Sequence, residues 1–358
     1  MRPCGRLGND EPQTALPHQG FWRWITSIAA VFLTDRSLWF TGERHLKTRA
    51  SHLPGLLNEM KTIEDVPLDH LIGMEVGTST ILKELARGGS AAVFIAFQRT
   101  LKRQIAIKIL PKTLLTPEIA ERFQMEAESA AILSHPNIIP IYEVGETGDF
   151  LFIAMQLIHG HSLSQHIKAA KKHVLPSRRY IPVETTVTIM TQVLDGLDYA
   201  HHQDIIHRDI KPGNILIESL SKRPIILDFG IAKVSRGLEH ESSVIQGTPF
   251  YMPPEQIRNE AADRRTDIYA SGMMLFEMLV SDLPLPRVHP VDLLLLKLKQ
   301  GDRLFKTTPS EMNPRAHPDM DRIVFKAIAF DPGDRFASCA EFRMALLDYQ
   351  DRHPGKQI

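Results

Sequence analysis

The sequence predicts an α+β fold in which a small, mainly antiparallel β lobe with one helix precedes a larger, mainly helical lobe. Between residues 71 and 157, short apolar runs of strand length alternate with turn residues, whereas from about residue 162 apolar positions recur at helical spacing. A chain of 358 residues is long enough for two lobes and an extension. Its 43% hydrophobic and 23% charged content is typical of a soluble globular protein.

Charge and cysteine content exclude several function classes. The 42 basic residues equal the 42 acidic residues, so no net field favours nucleic acid as a partner. The cysteines, Cys4 and Cys339, could form at most one disulfide, which predicts a reducing compartment and hence a cytoplasmic protein. No apolar run reaches about 18 residues, so nothing is expected to span a membrane. Function must therefore lie in local sites.

Residues 1–70 are predicted to form an N-terminal extension, either loosely ordered or partly an amphipathic helix. Residues 21–40 are aromatic and apolar, but Arg23, Asp35 and Arg36 interrupt them. Such a segment could pack on the rest of the chain, bind a partner or lie at a membrane surface. A signal peptide is not expected, because its apolar segment would be uninterrupted and closer to the N-terminus.

The β lobe is predicted to contain five strands, at residues 80–85, 92–96, 104–110, 138–144 and 150–157. Residues 86–90 form the first turn, and a turn around Gly148 joins the last two strands. The lobe's one helix is predicted to begin at Thr116-Pro117-Glu118, where a possible N-cap precedes proline and an acid. It should end near Ser134.

The second lobe is predicted to contain helices at residues 162–172, 184–203, 267–280, 290–299, 320–330 and 337–351. In the second of these, Ile189, Val193, Leu197 and Ala200 recur at steps of four, four and three, which is typical of a buried helix face. A short polar tail, 352–358, follows the last helix.

The strongest functional signal is the run His207–Leu216, HRDIKPGNIL, followed by Asp228-Phe229-Gly230. Phosphoryl transfer needs metal ions held by oxygen ligands, a base beside the attacking hydroxyl, and cations against the phosphates. Asp209, Asn214 and Asp228 offer the oxygens, and Lys211 offers a cation. Both runs occur in order and adjoin strand-like segments, so the pattern predicts a phosphoryl-transfer site rather than a chance match.

These motifs resemble the catalytic and metal loops of eukaryotic-like protein kinases of the bacterial Ser/Thr type, in which a lysine follows the catalytic aspartate by two positions. The runs RFQMEAESAA, SHPNII and GTPFYMPPEQ carry the same resemblance. It covers residues 71–351, with a small lobe at 71–156 and a large lobe at 160–351. It implies the two-lobe protein kinase fold, the use of ATP with Mg²⁺ or alternatively Mn²⁺, and signalling by transfer of the γ-phosphate to Ser or Thr hydroxyls of proteins, the chain itself included.

The resemblance also implies roles for the matching residues. Asp209 would accept the hydroxyl proton, Lys211 would lie near the transferred phosphate, and Asn214 and Asp228 would bind metal. Lys108, in the run IAIK, would contact phosphates and pair with Glu126 on the following helix. The residues implied around the nucleotide are Leu85, Ala86, Gly88, Gly89, Val93, Ala106, Lys108, Met155, Gln156, Ile158 and Leu216.

The segment between Asp228 and Glu255 resembles the activation segment of a protein kinase. Ser242 and Ser243 are possible phosphorylation sites, and Arg208 would bind a phosphate on either of them. The equal alternative is that these serines are simply exposed to solvent in a polar loop. The resemblance implies three structural contacts: Thr248 near the catalytic loop, Asp267 capping the backbone of that loop, and Glu255 paired with Arg335.

One departure from the family pattern keeps an alternative open. Ala86 and Ala91 stand where the glycine-rich loop would have its first and third glycines, so that only Gly88 and the adjacent Gly89 remain. Weaker phosphate binding would favour a pseudokinase scaffold, which binds nucleotide or a partner without efficient transfer. A small-molecule kinase of the aminoglycoside type is disfavoured by the run GTPFYMPPEQ, which resembles a platform for a peptide substrate.

Overall fold

The fold is described from a computed structural model, which defines residues 63, 68–88, 91–229 and 249–354. All of these residues belong to one compact unit of the chain. Within the described ranges, no helix is long and apolar enough to cross a membrane. Ser242, Ser243, Thr248, Gly89 and the predicted amphipathic segment 21–40 lie outside those ranges.

The small lobe is built on one antiparallel sheet of six strands. They are β1 (Glu75–Val76), β2 (Ser79–Arg87), β3 (Ala92–Gln98), β4 (Arg103–Pro111), β5 (Ile141–Thr147) and β6 (Phe150–Gln156), in the order β1-β2-β3-β4-β6-β5. Helix α1, Pro117–Ala131, packs against β5. Strand β5 begins three residues later than predicted, because Ile138 and Ile139 pair instead with Ile226 of the large lobe.

Strand register places the small-lobe lysine. Val93 is opposite Lys108 across β3 and β4, and Lys108 is opposite Ile153 across β4 and β6. A slip of one residue would move the lysine to the other face of the sheet. Gly148 has φ of +51° in the turn between β5 and β6, a conformation that favours glycine.

The small-lobe core is a cluster of aliphatic and aromatic side chains that includes Phe94, Ile107 and Phe152. Ile63 and Leu68 are also fully buried in this cluster. Fully burying a side chain of this size stabilises the folded protein by roughly 1.5–3 kcal/mol relative to leaving it in water. The packing of the small lobe therefore begins before residue 71, the start predicted from the sequence.

The large lobe is mainly helical and carries a short sheet beside the predicted catalytic loop. Its elements are β7 (Gly160–Ser162), α2 (Leu163–Lys171), α3 (Val183–His201), β8 (Ile215–Glu218), β9 (Pro224–Ile226), α4 (Pro254–Ile257), α5 (Arg265–Val280), α6 (Pro290–Gln300), α7 (Pro309–Met312), α8 (Pro318–Ala327) and α9 (Cys339–Arg352). The six predicted helices are all present. The one-turn helices α4 and α7 and the strand β7 were not predicted, since elements so short show no periodicity.

Helix α5 is the centre of the large lobe, and almost all of its residues are buried. It contacts α3, α7 and α8. Helix α2 begins with a capping box in which the side chains of Ser162 and Gln165 bond to each other's backbone N–H groups. The capping box fixes the start of α2, which contacts β7 and β8 of the short sheet.

We predict that Gly272→Ala destabilises the fold. A Cβ at Gly272 would lie 2.6 Å from the Cβ of Ala327 and 2.7 Å from Cγ2 of Ile328. Overpacking of this kind costs about 1–3 kcal/mol. Urea unfolding should show the loss. The control is Gly213→Ala, because no atom lies within 4 Å of the added Cβ; equal midpoints for the two variants would contradict the prediction.

Candidate active site

The loop after α3 is fixed by a buried carboxylate at the start of α5. Asp267 accepts hydrogen bonds from the backbone N–H of His207 at 2.8 Å and of Arg208 at 2.7 Å. Its Oδ2 also lies 2.8 Å from Nε2 of His201. Burial acts to raise the pKa of Asp267, but these partners outweigh it and hold the pKa below its ordinary value. The carboxylate is therefore ionised at neutral pH.

His207 connects this loop to the segment that follows β9. Its ring is buried, with Nε2 at 2.8 Å from the carbonyl oxygen of Leu227. The ring of Phe229 lies 4.7 Å away, centroid to centroid, and is also buried. The two runs that carry the predicted motifs are thus packed against each other.

Asp209, Lys211 and Asn214 meet around one carboxylate oxygen. Oδ2 of Asp209 lies 2.7 Å from Nζ of Lys211 and accepts a hydrogen bond of 2.9 Å from Nδ2 of Asn214. Nδ2 of Asn214 also donates to the carbonyl oxygen of Asp209 at 2.8 Å. The carboxylate is largely shielded, while the lysine is more exposed. Asn214 therefore fixes the orientation of the carboxylate that a substrate hydroxyl would meet.

Lys108 reaches across from the small lobe to Asp228. Nζ of Lys108 lies 2.7 Å from Oδ1 of Asp228. Burial acts to raise the pKa of Asp228, but the charge and hydrogen bond of Lys108 outweigh it, so that this pKa lies below its ordinary value. Asp228 has φ of +57°, a left-handed conformation that only a few per cent of non-glycine residues adopt. Strain of this kind is typical of functional sites.

The acidic and amide groups of the site fit a divalent cation. The backbone N–H of Leu227 donates to the carbonyl oxygen of Asn214 at 2.9 Å, which holds Asn214 next to the segment that carries Asp228. Carboxylate and amide oxygens are the ligands that Mg²⁺ prefers, and no sulfur or imidazole is required. The residues present can therefore hold the metal that the motifs imply.

Most of the predicted nucleotide-pocket residues lie on or beside strands β2, β3, β4 and β6. Ala106 is opposite Met155, and both belong to a buried cluster against which Val93 and Ile158 pack. Leu85 is 52% exposed at the edge of this surface. Gln156 ends β6, and its N–H donates to the carbonyl of Pro140 at 3.0 Å. Leu216 lies on β8.

The two alanines of the loop between β2 and β3 fit the backbone without strain. Neither Ala86 nor Ala91 has a positive φ. The N–H of Gly88 donates to the carbonyl of Ala91 at 2.9 Å, and Ala91 is buried among apolar side chains. Glycine's freedom is therefore not needed at either position for this hairpin.

Glu255 and Arg335 form a buried bidentate pair. Nη1 and Nη2 of Arg335 lie 2.8 and 2.9 Å from the two carboxylate oxygens of Glu255. Thr266 adds a hydrogen bond of 3.1 Å to Glu255, and Arg335 also donates to three backbone carbonyls, those of Ala329, Arg265 and Phe330. Burial acts to raise the pKa of Glu255, but Arg335 holds it below the ordinary value.

Some predicted contacts lie beyond the described side chains, and some observed contacts were not predicted. The side chain of Glu126 is not described, so its pairing with Lys108 stays a prediction, as do the roles of Ser242, Ser243, Thr248 and Gly89. Two unpredicted contacts support the catalytic loop: His201 against Asp267, and Nε2 of Gln256 donating to the carbonyl of Arg208 at 3.2 Å. No local motif marks His201, and although Gln256 ends the run GTPFYMPPEQ, that run does not indicate its partner.

Comparison with known proteins assigns this arrangement to a family. The family model described as "Protein kinase domain" matches residues 79–345, well over half of the chain. The chain therefore belongs to the protein kinase domain family, whose members use ATP and a divalent metal.

The relatives are bacterial. Serine/threonine-protein kinase PrkC of Bacillus subtilis (strain 168) is 35% identical over 277 residues, which cover 76% of this chain and 40% of PrkC. Tyrosine-protein kinase MasK of Myxococcus xanthus (strain DK1622) is 33% identical over 291 residues, 77% of this chain and 44% of MasK. The chain thus spans less than half the length of these relatives.

A solved structure confirms the predicted fold class. The crystal structure of the Mycobacterium tuberculosis PknI kinase domain is 28% identical to this chain and superposes with a TM-score of 0.62. The match covers 78% of this chain and 98% of the PknI chain. The antiparallel small lobe and helical large lobe are those of the two-lobe protein kinase fold.

We predict that Arg335→Met destabilises the protein most at neutral pH. Removing one partner of a buried ion pair costs about 3–5 kcal/mol, because Glu255 keeps its charge without compensation. Since the folded-state pKa of Glu255 is lowered, its stabilising contribution is present above the unfolded value of about 4.3 and is lost as the pH falls through the folded value. The deficit of the variant should therefore stay at its full size from about pH 7 down to about 4.3 and shrink as the pH falls below that value.

Urea unfolding across this pH range measures the effect. The control is Lys326→Met, which breaks the exposed pair of Lys326 and Glu341 and should cost less than about 1 kcal/mol. A deficit for Arg335→Met as small as that of the control at neutral pH would contradict the prediction.

Proposed function

We propose that the chain is an ATP-dependent protein kinase that transfers the γ-phosphate of ATP to Ser or Thr hydroxyls of proteins in signal transduction, the chain itself included. The observation that carries this proposal is the Asp209 carboxylate, whose Oδ2 is held between Nζ of Lys211 and Nδ2 of Asn214. Such a carboxylate is oriented, partly desolvated and flanked by a cation, as a base beside developing negative charge requires.

The mechanism assigns each described side chain one task. Asp209 would accept the proton of the acceptor hydroxyl as the hydroxyl oxygen bonds to the γ-phosphorus and the bond from that phosphorus to ADP breaks. Lys211 and Lys108 would stabilise the negative charge that spreads over the transferred group. When bound, ATP supplies the phosphoryl group and a divalent metal neutralises its phosphates.

Asn214 and Asp228 would hold the metal in this proposal, and their hard oxygens suit Mg²⁺ or, alternatively, Mn²⁺. The lowered pKa of Asp228 supports this role, since a metal ligand must be deprotonated. We also propose a cytoplasmic site of action, because the reaction requires the compartment that contains ATP.

The pseudokinase alternative has no observation in its favour. Its sequence argument was the replacement of two glycines, yet neither Ala86 nor Ala91 has a positive φ, and the N–H of Gly88 donates to the carbonyl of Ala91. Lys108, Asp209, Asn214 and Asp228 are all present and in contact in pairs. The site supports transfer rather than binding alone.

Asp209→Asn is expected to lower phosphate transfer by about 10²- to 10⁴-fold, because it removes the base and keeps the shape of the side chain. Transfer from radiolabelled ATP with Mg²⁺ to the chain itself and to a generic acceptor protein measures the loss. The control Asp204→Asn changes an exposed aspartate of the same loop and should transfer at the wild-type rate. Undiminished transfer by Asp209→Asn would refute the assignment of the base.

The chain is further expected to phosphorylate Ser and Thr but not Tyr. A Tyr hydroxyl lies several ångströms farther from its backbone than a Ser hydroxyl, so one fixed base cannot meet both on the same peptide path. Three peptides that differ only in a central Ser, Thr or Tyr test this directly. The name of the relative MasK makes the test informative, and comparable transfer to the Tyr peptide would rule the proposed specificity out.

A further inference from the structure

Lys297 of α6 is a buried lysine that the proposed mechanism does not use. Only 2% of the residue is exposed, whereas Leu295 on the same helix is 50% exposed. Burying an ammonium group is costly unless it is hydrogen-bonded or paired. The groups that bond to Lys297 therefore indicate why the side chain is buried.

Those partners are two backbone carbonyls of one short segment. Nζ of Lys297 donates to the carbonyl oxygen of Phe250 at 2.6 Å and to that of Met252 at 3.0 Å. The same nitrogen lies 5.3 Å from the ring centroid of Tyr269, within the range of a cation–π contact. Bonds from a charged donor to backbone carbonyls are among the stronger hydrogen bonds.

The titratable groups around Lys297 are either neutral or already bonded to other partners. Among the described residues, none offers a carboxylate in salt-bridge contact with Nζ. Asp302 lines the same cavity but accepts from the N–H of Phe330 at 2.7 Å, and Glu255, near by on α4, is paired with Arg335. Burial raises the pKa of Tyr269, which stays neutral. Burial also lowers the pKa of Lys297 to about 7.

The segment that Lys297 holds is fixed from a second side as well. The hydroxyl of Tyr251 donates to Oε2 of Glu277 on α5. Phe250 remains 39% exposed. Residues 250–252 thus have an anchored backbone and an exposed aromatic side chain, and they lie within the activation segment that the family resemblance implies.

We propose that Lys297 is a positioning residue for the protein acceptor: its ammonium fixes the backbone of residues 250–252, and with it the surface on which the acceptor chain lies. The inference rests on the proposed function, because only a protein acceptor needs such a surface. Lys297 itself touches no substrate. It acts through the two carbonyls, so its effect falls on acceptor binding and not on nucleotide binding.

The charge of Lys297 makes this positioning dependent on pH. A neutral amine keeps donors for both carbonyls but loses the charge that strengthens the bonds. The hold on residues 250–252 therefore weakens as the pH rises through about 7. An arginine at this position would stay charged throughout the accessible range.

Steady-state kinetics of the full chain test the inference, with a Ser peptide that lacks His as acceptor. Lys297→Met should raise the KM for the peptide roughly tenfold, since the surface that binds the acceptor would no longer be fixed, and should leave the KM for ATP unchanged. Lys299→Met, an exposed lysine two residues along the same helix, is the matched control and should behave as wild type. Between about pH 6 and 8.5, the peptide KM should rise for wild type but stay flat for Lys297→Arg.

Equal peptide KM values for Lys297→Met and wild type would overturn the inference, and so would a parallel rise in both KM values, which indicates a merely structural role. If Lys297→Met does not fold, the pH profiles of wild type and Lys297→Arg decide: coincident profiles overturn the inference. If the wild type transfers no phosphate to any acceptor, the proposed function fails and this inference falls with it.

Discussion

The hydrogen bonds that Asp267 accepts from the backbone of His207 and Arg208 are the constraint on which the rest of the site depends. Arg208 has φ of +65°, a conformation that costs of order 1 kcal/mol or more for a non-glycine residue. A buried, ionised acceptor at 2.7 Å from its N–H offsets that cost. The turn that follows presents Asp209 to Lys211 and Asn214. Without the Asp267 carboxylate, the loop would lose the two hydrogen bonds that stabilise this conformation.

Helix α5, which carries Asp267, also contacts residues 250–252 and the ion pair of Glu255 and Arg335. Thr266 bonds to Glu255, Tyr269 lies between Lys297 and Arg335, and Glu277 accepts from Tyr251. Successive turns of α5 thus contact the catalytic loop, the buried ion pair and residues 250–252. Because α5 is buried on nearly every side, core packing sets its position. The same packing therefore fixes the positions of the functional segments that contact α5.

The sequence predicted those features that are local and missed those that arise from tertiary packing. The fold class, the six longer helices and the meeting of the two catalytic runs followed from periodicity and motif spacing. The start of β5 did not, since Ile138 and Ile139 are apolar and strand-like but bond to Ile226 of the other lobe. Lys297 carries no motif, and Gln256 lies in one that does not indicate its contact. The partners of both side chains are backbone carbonyls, which every residue possesses. Such contacts are visible only once the chain is folded.

Buried charges show which parts of the site are rigid and which can change. Glu255 and Arg335 pair with each other, and Arg335 also donates to a backbone carbonyl, so this ion pair is rigid. Lys108 and Asp228 also pair, but each has a second candidate partner: Glu126 for the lysine and a metal for the carboxylate. In the proposed function, binding of a cation by Asp228 would release Lys108 for another anion. Lys297 differs from both pairs, since its partners are neutral carbonyls and only its own proton decides the strength of the contact.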